Sequence, residues 1–355
     1  MISYDIVEHG QPLQKAIRHT PEPGPGEVLM QITHAGVCHS DLHIWEGYFD
    51  LGGGKRSYVK DRGVKLPFTM GHEPLGVVAK LGAGVSGVTV GSKYLVYPWI
   101  GCGKCSACES GHDNYCVTAP RFIGAIKSGA YASHLLVPDS KYLIDVTGID
   151  DGFAATLACS GVTAYSAIAK LPAVTDRDHV AVVGCGGLGL VCISLLRAKG
   201  VKNIVACDVD ETKLAAARAQ GATWTVNTRD ADAAAKLAAA VSGSLVGAID
   251  FVGRPETAQL AMGALRKGGR AILVGLHGGE ISIPLPPIAQ RAIGLVGSYV
   301  GTLGELRELV ALVRTANLKP LPVQLRPSAE VNQILDDLKA GSVLGRVVMQ
   351  METAA

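Results

Sequence analysis

An apolar segment that runs directly into a glycine-rich turn constrains the fold of this chain more than any other feature. His179-Val-Ala-Val-Val183 is followed by Gly184-Cys-Gly-Gly-Leu-Gly189, a G-x-G-x-x-G pattern. Such a pattern is typical of a strand that turns into a helix, because the glycines permit a tight turn, close approach of a ligand phosphate and close helix packing. The uncharged run Val180 to Leu196 is therefore predicted to be strand, turn and helix rather than a membrane span. The residues predicted to surround the phosphates are Gly184, Gly186, Gly187, Leu188 and Gly189.

The segments after this turn alternate between strands and helices. Apolar strands are predicted at 180–183, 204–207, 248–252 and 271–274. Alanine-rich helical stretches such as Glu211 to Gln220 lie between them. This alternation is what βαβ units require, and it predicts a doubly wound parallel sheet.

An acidic residue indicates which dinucleotide the turn accepts. Asp208 lies nineteen residues after Gly189, at the end of the next predicted strand. A carboxylate there can accept both ribose hydroxyls of NAD, whereas the 2'-phosphate of NADP meets a like charge. NAD is therefore preferred. The alternative is that the glycines belong to an ordinary turn and that Asp208 is a solvated acid at the end of a strand.

The first part of the chain has a different pattern. Short strands at 28–33, 76–80 and 93–97 are bounded by glycine and proline, which is typical of a compact β domain. A length of 355 residues exceeds what one core usually organises, so two domains are expected. The predicted fold class is α/β, with a β-rich domain beside the doubly wound sheet.

Composition limits the classes of partner. A net charge of +2 gives no field strong enough to argue for nucleic acid, so a small-molecule partner is expected. The first ten residues contain Asp5 and Glu8 and no apolar stretch. We therefore expect a cytoplasmic protein that does not bind a membrane.

Four cysteines form one short loop with the spacing C-x2-C-x2-C-x7-C: Cys102, Cys105, Cys108 and Cys116. Four thiolates can close a tetrahedral shell around zinc and leave no open position, so this ion is predicted to be structural. Two disulfides are the alternative, but a chain without a secretory signal is usually kept reduced.

Further cysteine and histidine residues are candidates for an open metal site. Cys38, His72 and Cys159 form a Cys2His set, which leaves the fourth zinc position free for water or substrate. Zinc in such a site is a Lewis acid that lowers the pKa of a bound hydroxyl. Without their motifs, these residues are equally typical of buried thiols and a core histidine.

The order of these motifs resembles the zinc-dependent medium-chain alcohol dehydrogenases over essentially the whole chain. The matching motifs are Cys38-His-Ser-Asp41, Gly71-His-Glu73-x2-Gly76-x5-Gly82-x2-Val85, the four-cysteine loop, Cys159-Ser-Gly-Val-Thr-Ala-Tyr165 and the glycine turn. The resemblance implies a GroES-like catalytic domain at 1–157 with a structural zinc loop at about 98–117. It also implies a Rossmann NAD-binding domain at 158–300 and a return to the catalytic domain at 301–355.

The resemblance also implies a role for each matching residue. Cys38, His72 and Cys159 hold the catalytic zinc, Glu73 is a nearby acid that can exchange onto it, and Asp41 fixes the tautomer of His72. Ser40 receives the alcohol proton and passes it through the nicotinamide ribose to His43. The implied contacts are His39 and Arg346 to the pyrophosphate, Asp208 and Lys213 to the adenosine ribose, Thr163 and Val274 to the nicotinamide, and Phe49 and Trp99 to the substrate.

The implied reaction is reversible oxidation of a primary or secondary alcohol, with hydride transfer to NAD. The nearest alternatives are a polyol or amino-alcohol dehydrogenase and an enzyme for an anionic hydroxy substrate. The insert at 50–66 favours the anionic hydroxy substrate, since it carries five basic residues and could attract a carboxylate or a thioester-linked phosphate. A solvated loop, or one at a subunit contact, is the simpler interpretation.

The resemblance further predicts the assembly. The stretch from Cys116 to Cys159 is short, as in tetrameric bacterial and yeast relatives. A homotetramer is expected to form by pairing of sheet edges near Leu295 to Val300, with a dimer as the alternative.

Overall fold

The computed structural model describes residues 1–316, 318 and 321–352. The end of the predicted last segment, 353–355, lies outside the described residues. The described strands are β1 (Ile2–Ile6), β2 (Gln14–Ile17), β3 (Val28–Val37), β4 (Tyr48–Gly52), β5 (Lys55–Tyr58), β6 (Phe68–Thr69), β7 (Pro74–Leu81), β8 (Lys93–Val96), β9 (His134–Val137), β10 (Leu143–Asp145), β11 (His179–Val183), β12 (Asn203–Asp208), β13 (Trp224–Asn227), β14 (Leu245–Asp250), β15 (Arg270–Leu273), β16 (Gly294–Gly297), β17 (Val323–Pro327) and β18 (Arg346–Gln350).

The described α-helices are α1 (His39–Glu46), α2 (Ser106–Glu109), α3 (Asp151–Thr156), α4 (Val162–Ala169), α5 (Gly187–Ala198), α6 (Glu211–Gln220), α7 (Ala233–Val241), α8 (Pro255–Gly263), α9 (Leu285–Arg291), α10 (Leu303–Thr315) and α11 (Val331–Lys339). Short 3-10 turns lie at Val59–Arg62, Asp113–Tyr115, Ser140–Tyr142 and Ser328–Glu330, and a π-helical turn lies at Leu157–Gly161.

Six parallel strands form the sheet that the glycine turn predicts, in the order β13-β12-β11-β14-β15-β16. This is the Rossmann order, and its topological switch point lies between β11 and β14. Strand β14 ends two residues before the predicted Val252. The Asp250 carboxylate accepts hydrogen bonds from the N–H groups of Val252 and Gly253, at 2.9 and 3.1 Å, and so turns the chain away from the sheet.

The remaining large sheet is mostly antiparallel and contains both early and late parts of the chain. Its order is β10-β8-β7-β3-β18-β17, and β9 also pairs with β3. Strand β18 pairs antiparallel with β3, with Val347 opposite Val37. The last described strand therefore returns to the sheet that the first third of the chain builds. A three-stranded sheet β2-β1-β6 and the hairpin β4-β5 complete this part of the molecule.

A continuous helix, made of α3, the π-helical turn and α4, connects the two large sheets. It spans Asp151–Ala169 and is long and apolar enough to cross a membrane, but its most apolar window is 94% buried inside the fold. It is therefore a core helix. Its π-helical turn contains Cys159, and single π-helical turns are frequent at functional sites.

Candidate active site and metal centres

The four loop cysteines converge on one point at the protein surface. Their sulfur atoms all lie within 4.8 Å of one another, and all four are free thiols. The distances between Sγ atoms are 3.5 Å for Cys105–Cys108 and 3.9 Å for both Cys102–Cys108 and Cys105–Cys116. A disulfide needs about 2.05 Å, whereas a tetrahedral zinc–thiolate site with bonds of about 2.3 Å places its sulfurs about 3.8 Å apart. The geometry fits zinc.

A second cluster joins three distant parts of the chain. Cys38 lies between β3 and α1 as the N-cap of the helix, His72 follows β6, and Cys159 lies in the π-helical turn. Their ligand atoms lie within 4.8 Å of one another, and all three residues are buried. Gly71 allows the chain to turn inward at this point. Its φ is +100°, and a Cβ there would lie 2.3 Å from the ring of Tyr131. Two thiols and one imidazole are a donor set that zinc accepts with one position open.

Hydrogen bonds fix the orientation of this cluster. His72 Nδ1 lies 3.0 Å from Asp41 Oδ1, which leaves Nε2 to face the metal position. The other oxygen of Asp41 accepts from the Cys38 N–H at 2.9 Å and from the Tyr131 hydroxyl at 3.0 Å. Burial lowers the pKa of His72, but the charge of Asp41 and its hydrogen bond raise it by more, to well above the ordinary value. Tyr131 was not predicted from the sequence.

A hydrogen bond between the two buried thiols of the cluster moves their pKa values in opposite directions, and it raises the pKa of Cys159. A hydrogen bond from Cys159 holds the pKa of Cys38 well below its ordinary value, and the hydrogen bond and charge of His72 act in the same direction. Cys38 is therefore the thiol that ionises first, and a cation at this position favours ionisation of both.

Glu73 lies directly behind the cluster and is fully buried. One oxygen accepts from the Ser160 N–H at 3.1 Å, and the other forms an ion pair with Arg346. Burial raises the pKa of Glu73 to about 7, and the positive charge of Arg346 acts in the opposite direction. Gly36 leaves the space that the Glu73 carboxylate occupies, because a Cβ on residue 36 would lie 1.8 Å from that carboxylate. The Glu73–Arg346 pair was not predicted.

One cleft of about 810 Å³ contains almost all the predicted site residues. It runs from the second metal cluster to the carboxyl ends of β11 and β12, where Rossmann folds bind dinucleotides. Asp41 and Glu73 lie behind its wall, and the four-cysteine loop lies elsewhere. The predicted residues that line the cleft are Cys38, His39, Ser40, His43, Phe49, His72, Trp99, Cys159, Thr163, Gly184, Gly186, Gly187, Leu188, Gly189, Asp208, Lys213, Val274 and Arg346.

The nucleotide end of the cleft has the geometry that the glycine pattern requires. Gly184 has a φ of +88°, and a Cβ on Gly189 would lie 1.9 Å from the Gly184 carbonyl oxygen. Asp208 accepts hydrogen bonds from the N–H groups of Cys185 at 2.6 Å and Asp210 at 3.0 Å. The carboxylate is therefore held at the end of β12, beside the turn that begins α5.

Two hydroxyl groups in the middle of the cleft lack a hydrogen-bond partner. Thr163 Oγ1 and Ser298 Oγ are buried, and neither has a partner among residues 1–316, 318 and 321–352. Buried polar groups are normally hydrogen-bonded, so both are positioned to bond a ligand. Ser298 was not predicted, since no local motif marks it.

The metal end of the cleft brings the predicted proton-transfer residues together. Ser40 Oγ lies 3.3 Å from both Cys38 Sγ and His72 Nε2. His43 follows one turn later on α1, and its ring is 4.9 Å from that of Phe49. Burial lowers the pKa of His43, and the positive charge of His39 acts in the same direction.

Aromatic side chains form the opposite wall of this end. The Trp99 ring lies 5.4 Å from the His72 ring and 6.0 Å from that of Tyr299. The Trp99 indole N–H donates to the Ala158 carbonyl at 3.2 Å, which fixes the ring beside the π-helical turn. An apolar wall next to a metal position fits a small organic substrate.

Comparison with known proteins identifies the family. The alcohol dehydrogenase GroES-like domain matches residues 24–148, and the zinc-binding dehydrogenase family matches residues 187–315. An NAD-dependent alcohol dehydrogenase of Sulfurisphaera tokodaii is 34% identical over 345 residues, covering 97% of this chain and 98% of that protein. This chain belongs to the zinc-dependent alcohol dehydrogenase family.

Solved structures of this family agree with the fold. The alcohol dehydrogenase of the archaeon Aeropyrum pernix has a TM-score of 0.88 and 30% identity, covering 99% of this chain and all of that one. The acetophenone reductase of Geotrichum candidum, solved with NAD, has a TM-score of 0.84 and 28% identity, with 98% and 96% coverage. The predicted family and the predicted fold class, a GroES-like domain with a Rossmann sheet, are confirmed.

Proposed function

We propose that this chain is an NAD-dependent zinc alcohol dehydrogenase, which reversibly oxidises a primary or secondary alcohol to an aldehyde or ketone. The observation that carries the proposal is that one cleft contains both the Cys38–His72–Cys159 cluster and the glycine turn with Asp208. An alcohol at the cluster would therefore face the nicotinamide end of a dinucleotide bound at the turn. The relatives named as NAD-dependent alcohol dehydrogenases support the same reaction.

The two clusters fit two zinc ions with different roles. Cys102, Cys105, Cys108 and Cys116 would hold a closed, structural ion, whereas Cys38, His72 and Cys159 would leave one position for substrate. When bound, the second zinc supplies Lewis-acid polarisation of the substrate oxygen, and NAD supplies the hydride acceptor.

The chain's own residues would move the alcohol proton. Ser40 lies within 3.3 Å of two of the metal-binding atoms, so its hydroxyl can accept a hydrogen bond from a substrate hydroxyl at the open position. His43, with its lowered pKa, is neutral near pH 7 and can take the proton onward to solvent. Asp41 is the positioning residue that holds His72 in one tautomer.

Contacts to NAD are proposed for the residues that line the other half of the cleft. Asp208 and Lys213 would bind the adenosine ribose, and the amino end of α5 with His39 and Arg346 would face the pyrophosphate. Thr163, Val274 and the unpartnered hydroxyl of Ser298 would surround the nicotinamide. The Asp208 charge favours NAD over NADP.

We also propose a division of the chain into a catalytic domain at 1–157 and 301–355 and an NAD-binding domain at 158–300. A homotetramer is proposed to form through β16, an edge strand whose Leu295 is 38% exposed. A cytoplasmic location is proposed, since nine free thiols fit a reducing compartment.

The proposed function is tested by NAD reduction with a panel of simple alcohols, aromatic alcohols, polyols and threonine. We expect turnover with at least one simple or aromatic alcohol, and none after removal of the metal by a chelator. Turnover that is unchanged by chelation would contradict the zinc-dependent reaction.

A further inference from the structure

The basic insert at 50–66 folds as a defined element rather than a loose loop. Strands β4 and β5 form a hairpin, in which Tyr48 pairs with Tyr58, and the 3-10 turn Val59–Arg62 follows. Val59 and Val64 are buried, with 1% and 6% exposure. These two side chains anchor the insert to the core, so its charged residues occupy fixed positions.

The tip of this hairpin contacts the loop after β15. A Cβ on Gly52 would lie 2.7 Å from the backbone of Gly279, and a Cβ on Gly278 would lie 2.7 Å from the Asp50 carbonyl oxygen. The backbones of the hairpin and of the loop therefore pack directly against each other, which only glycine permits at these positions. This contact joins two segments that both line the cleft, since Asp50, Leu51, Gly278 and Gly279 are among its lining residues.

Arg62 is the basic residue of the insert that lines the cleft. Its guanidinium lies 4.5 Å from the centre of the Phe49 ring, and that ring lies 4.9 Å from His43, the proposed end of the proton path. Its charge also acts on Tyr299 of the opposite wall, where burial raises the pKa to about 12 and the Arg62 charge opposes the rise. Arg62 therefore lines the same cleft as the metal cluster and contacts it through Phe49 and His43 only indirectly.

Arg62 is an exposed residue, and no acidic side chain of the described residues pairs with it. Its hydrogen bond goes to Ser57 Oγ at 3.3 Å, and no carboxylate of the described residues lies within 4.0 Å of it. Arg326 and Arg346, by contrast, are paired with carboxylates. A guanidinium is planar, and its fork of donors matches a carboxylate bidentately.

We propose that Arg62 is a specificity-determining residue that binds the carboxylate of a hydroxy-acid substrate, or of the corresponding oxo-acid. The alcohol carbon would lie at the Cys38–His72–Cys159 cluster, and the carboxylate would lie a few carbons away, against Arg62. The inference rests on the proposed function and specifies its substrate class. It accounts for a guanidinium at the cleft without a carboxylate partner among the described residues, which a simple alcohol does not require.

The test compares acids with neutral analogues of the same length. The substrates are 4-hydroxybutyrate and 6-hydroxyhexanoate, each beside its methyl ester, with NAD and the zinc-loaded enzyme. The variants are Arg62→Met and Arg62→Lys. The matched control is Arg56→Met, because Arg56 carries the same charge in the same insert and lies 3.9 Å from the centre of the Tyr48 ring, but does not line the cleft.

The measured quantity is the ratio of kcat/KM for an acid to kcat/KM for its ester. We expect wild type to prefer at least one acid, Arg62→Met to lower the ratio about tenfold, Arg62→Lys to lower it less, and Arg56→Met to leave it unchanged. An equal ratio in wild type and Arg62→Met would overturn the inference. Equal falls of the ratio in Arg62→Met and Arg56→Met would also overturn it, because they would indicate general attraction of acids by positive charge. Melting temperatures identify a variant that has lost its fold.

The failure of this inference is distinguishable from failure of the proposed function. An enzyme that oxidises esters and simple alcohols without preferring acids contradicts the role of Arg62 alone. If no alcohol is oxidised, the proposed function fails. Calorimetric binding of 4-hydroxybutyrate to wild type and Arg62→Met, with zinc and NAD present, then decides whether Arg62 binds the carboxylate.

Discussion

Replacing Arg346 with methionine is expected to leave the Glu73 carboxylate buried without its ion-pair partner. The two side chains are 5% and 0% exposed, and the remaining hydrogen bond of Glu73 comes from the Ser160 N–H. Removing one member of a buried pair typically costs about 3–5 kcal/mol, because the other group must stay desolvated or take up a proton, and burial already raises the pKa of Glu73 to about 7. We therefore expect Arg346→Met to lower the free energy of unfolding by about that amount.

A double-mutant cycle separates the pair from the loss of packing. In urea unfolding of the zinc-loaded protein, Glu73→Gln with Arg346→Met is expected to cost about 2 kcal/mol less than the sum of the single variants. The control is Lys339→Met, which breaks an exposed pair with Glu46 at 2.8 Å and is expected to cost less than about 1 kcal/mol. Two results would refute the reasoning. One is that the losses of unfolding free energy in the single variants add up to the loss in the double variant, and the other is that Arg346→Met loses no more than Lys339→Met.

Three further predictions concern the zinc loop, the cofactor and the proton path. Cys105→Ser is expected to lower the melting temperature and the zinc content from about two ions to about one, measured by calorimetry and metal analysis; an unchanged zinc content would contradict a structural site. Asp208→Gly is expected to lower the ratio of kcat/KM for NAD to kcat/KM for NADP about tenfold or more, chiefly through KM. A native enzyme that uses NAD and NADP equally would contradict this prediction. His43→Gln is expected to slow oxidation at least tenfold below neutral pH, with partial rescue by imidazole, whereas Ser40→Ala is slower and not rescued. Because burial lowers the pKa of His43, the neutral base persists below pH 6.5, so the acid limb of the wild-type rate profile should lie below that value and be altered in His43→Gln.

The sequence was sufficient to predict features that depend on local spacing. Cys102 to Cys116 form one loop, and the turn from Val183 to Gly189 requires glycine for its own backbone, so both motifs could be recognised from neighbouring residues alone. The parallel sheet followed from the alternation of apolar strands with alanine-rich helices, and the early β-rich domain followed from short strands bounded by glycine and proline.

Features that depend on contacts between distant segments could not be predicted. The Glu73–Arg346 pair joins residues 273 positions apart, and Tyr131 reaches Asp41 across 90 positions. The insert was predicted only as a loop, because the contact between Gly52 and Gly279 involves backbone atoms and leaves no pattern in the side chains. The π-helical turn at Cys159 likewise has no local signal, since the segment reads as an ordinary apolar helix.

The central claim is that an alcohol is oxidised at the Cys38–His72–Cys159 cluster by hydride transfer to NAD bound in the same cleft. The most direct measurement is NADH formation from a panel of alcohols by wild type and Cys159→Ser, with melting temperature and NAD affinity recorded for both. We expect wild type to form NADH, and Cys159→Ser to lose turnover at least a hundredfold while retaining its NAD affinity. Comparable turnover by the two proteins would contradict the claim, as would the absence of NADH formation by wild type with every alcohol.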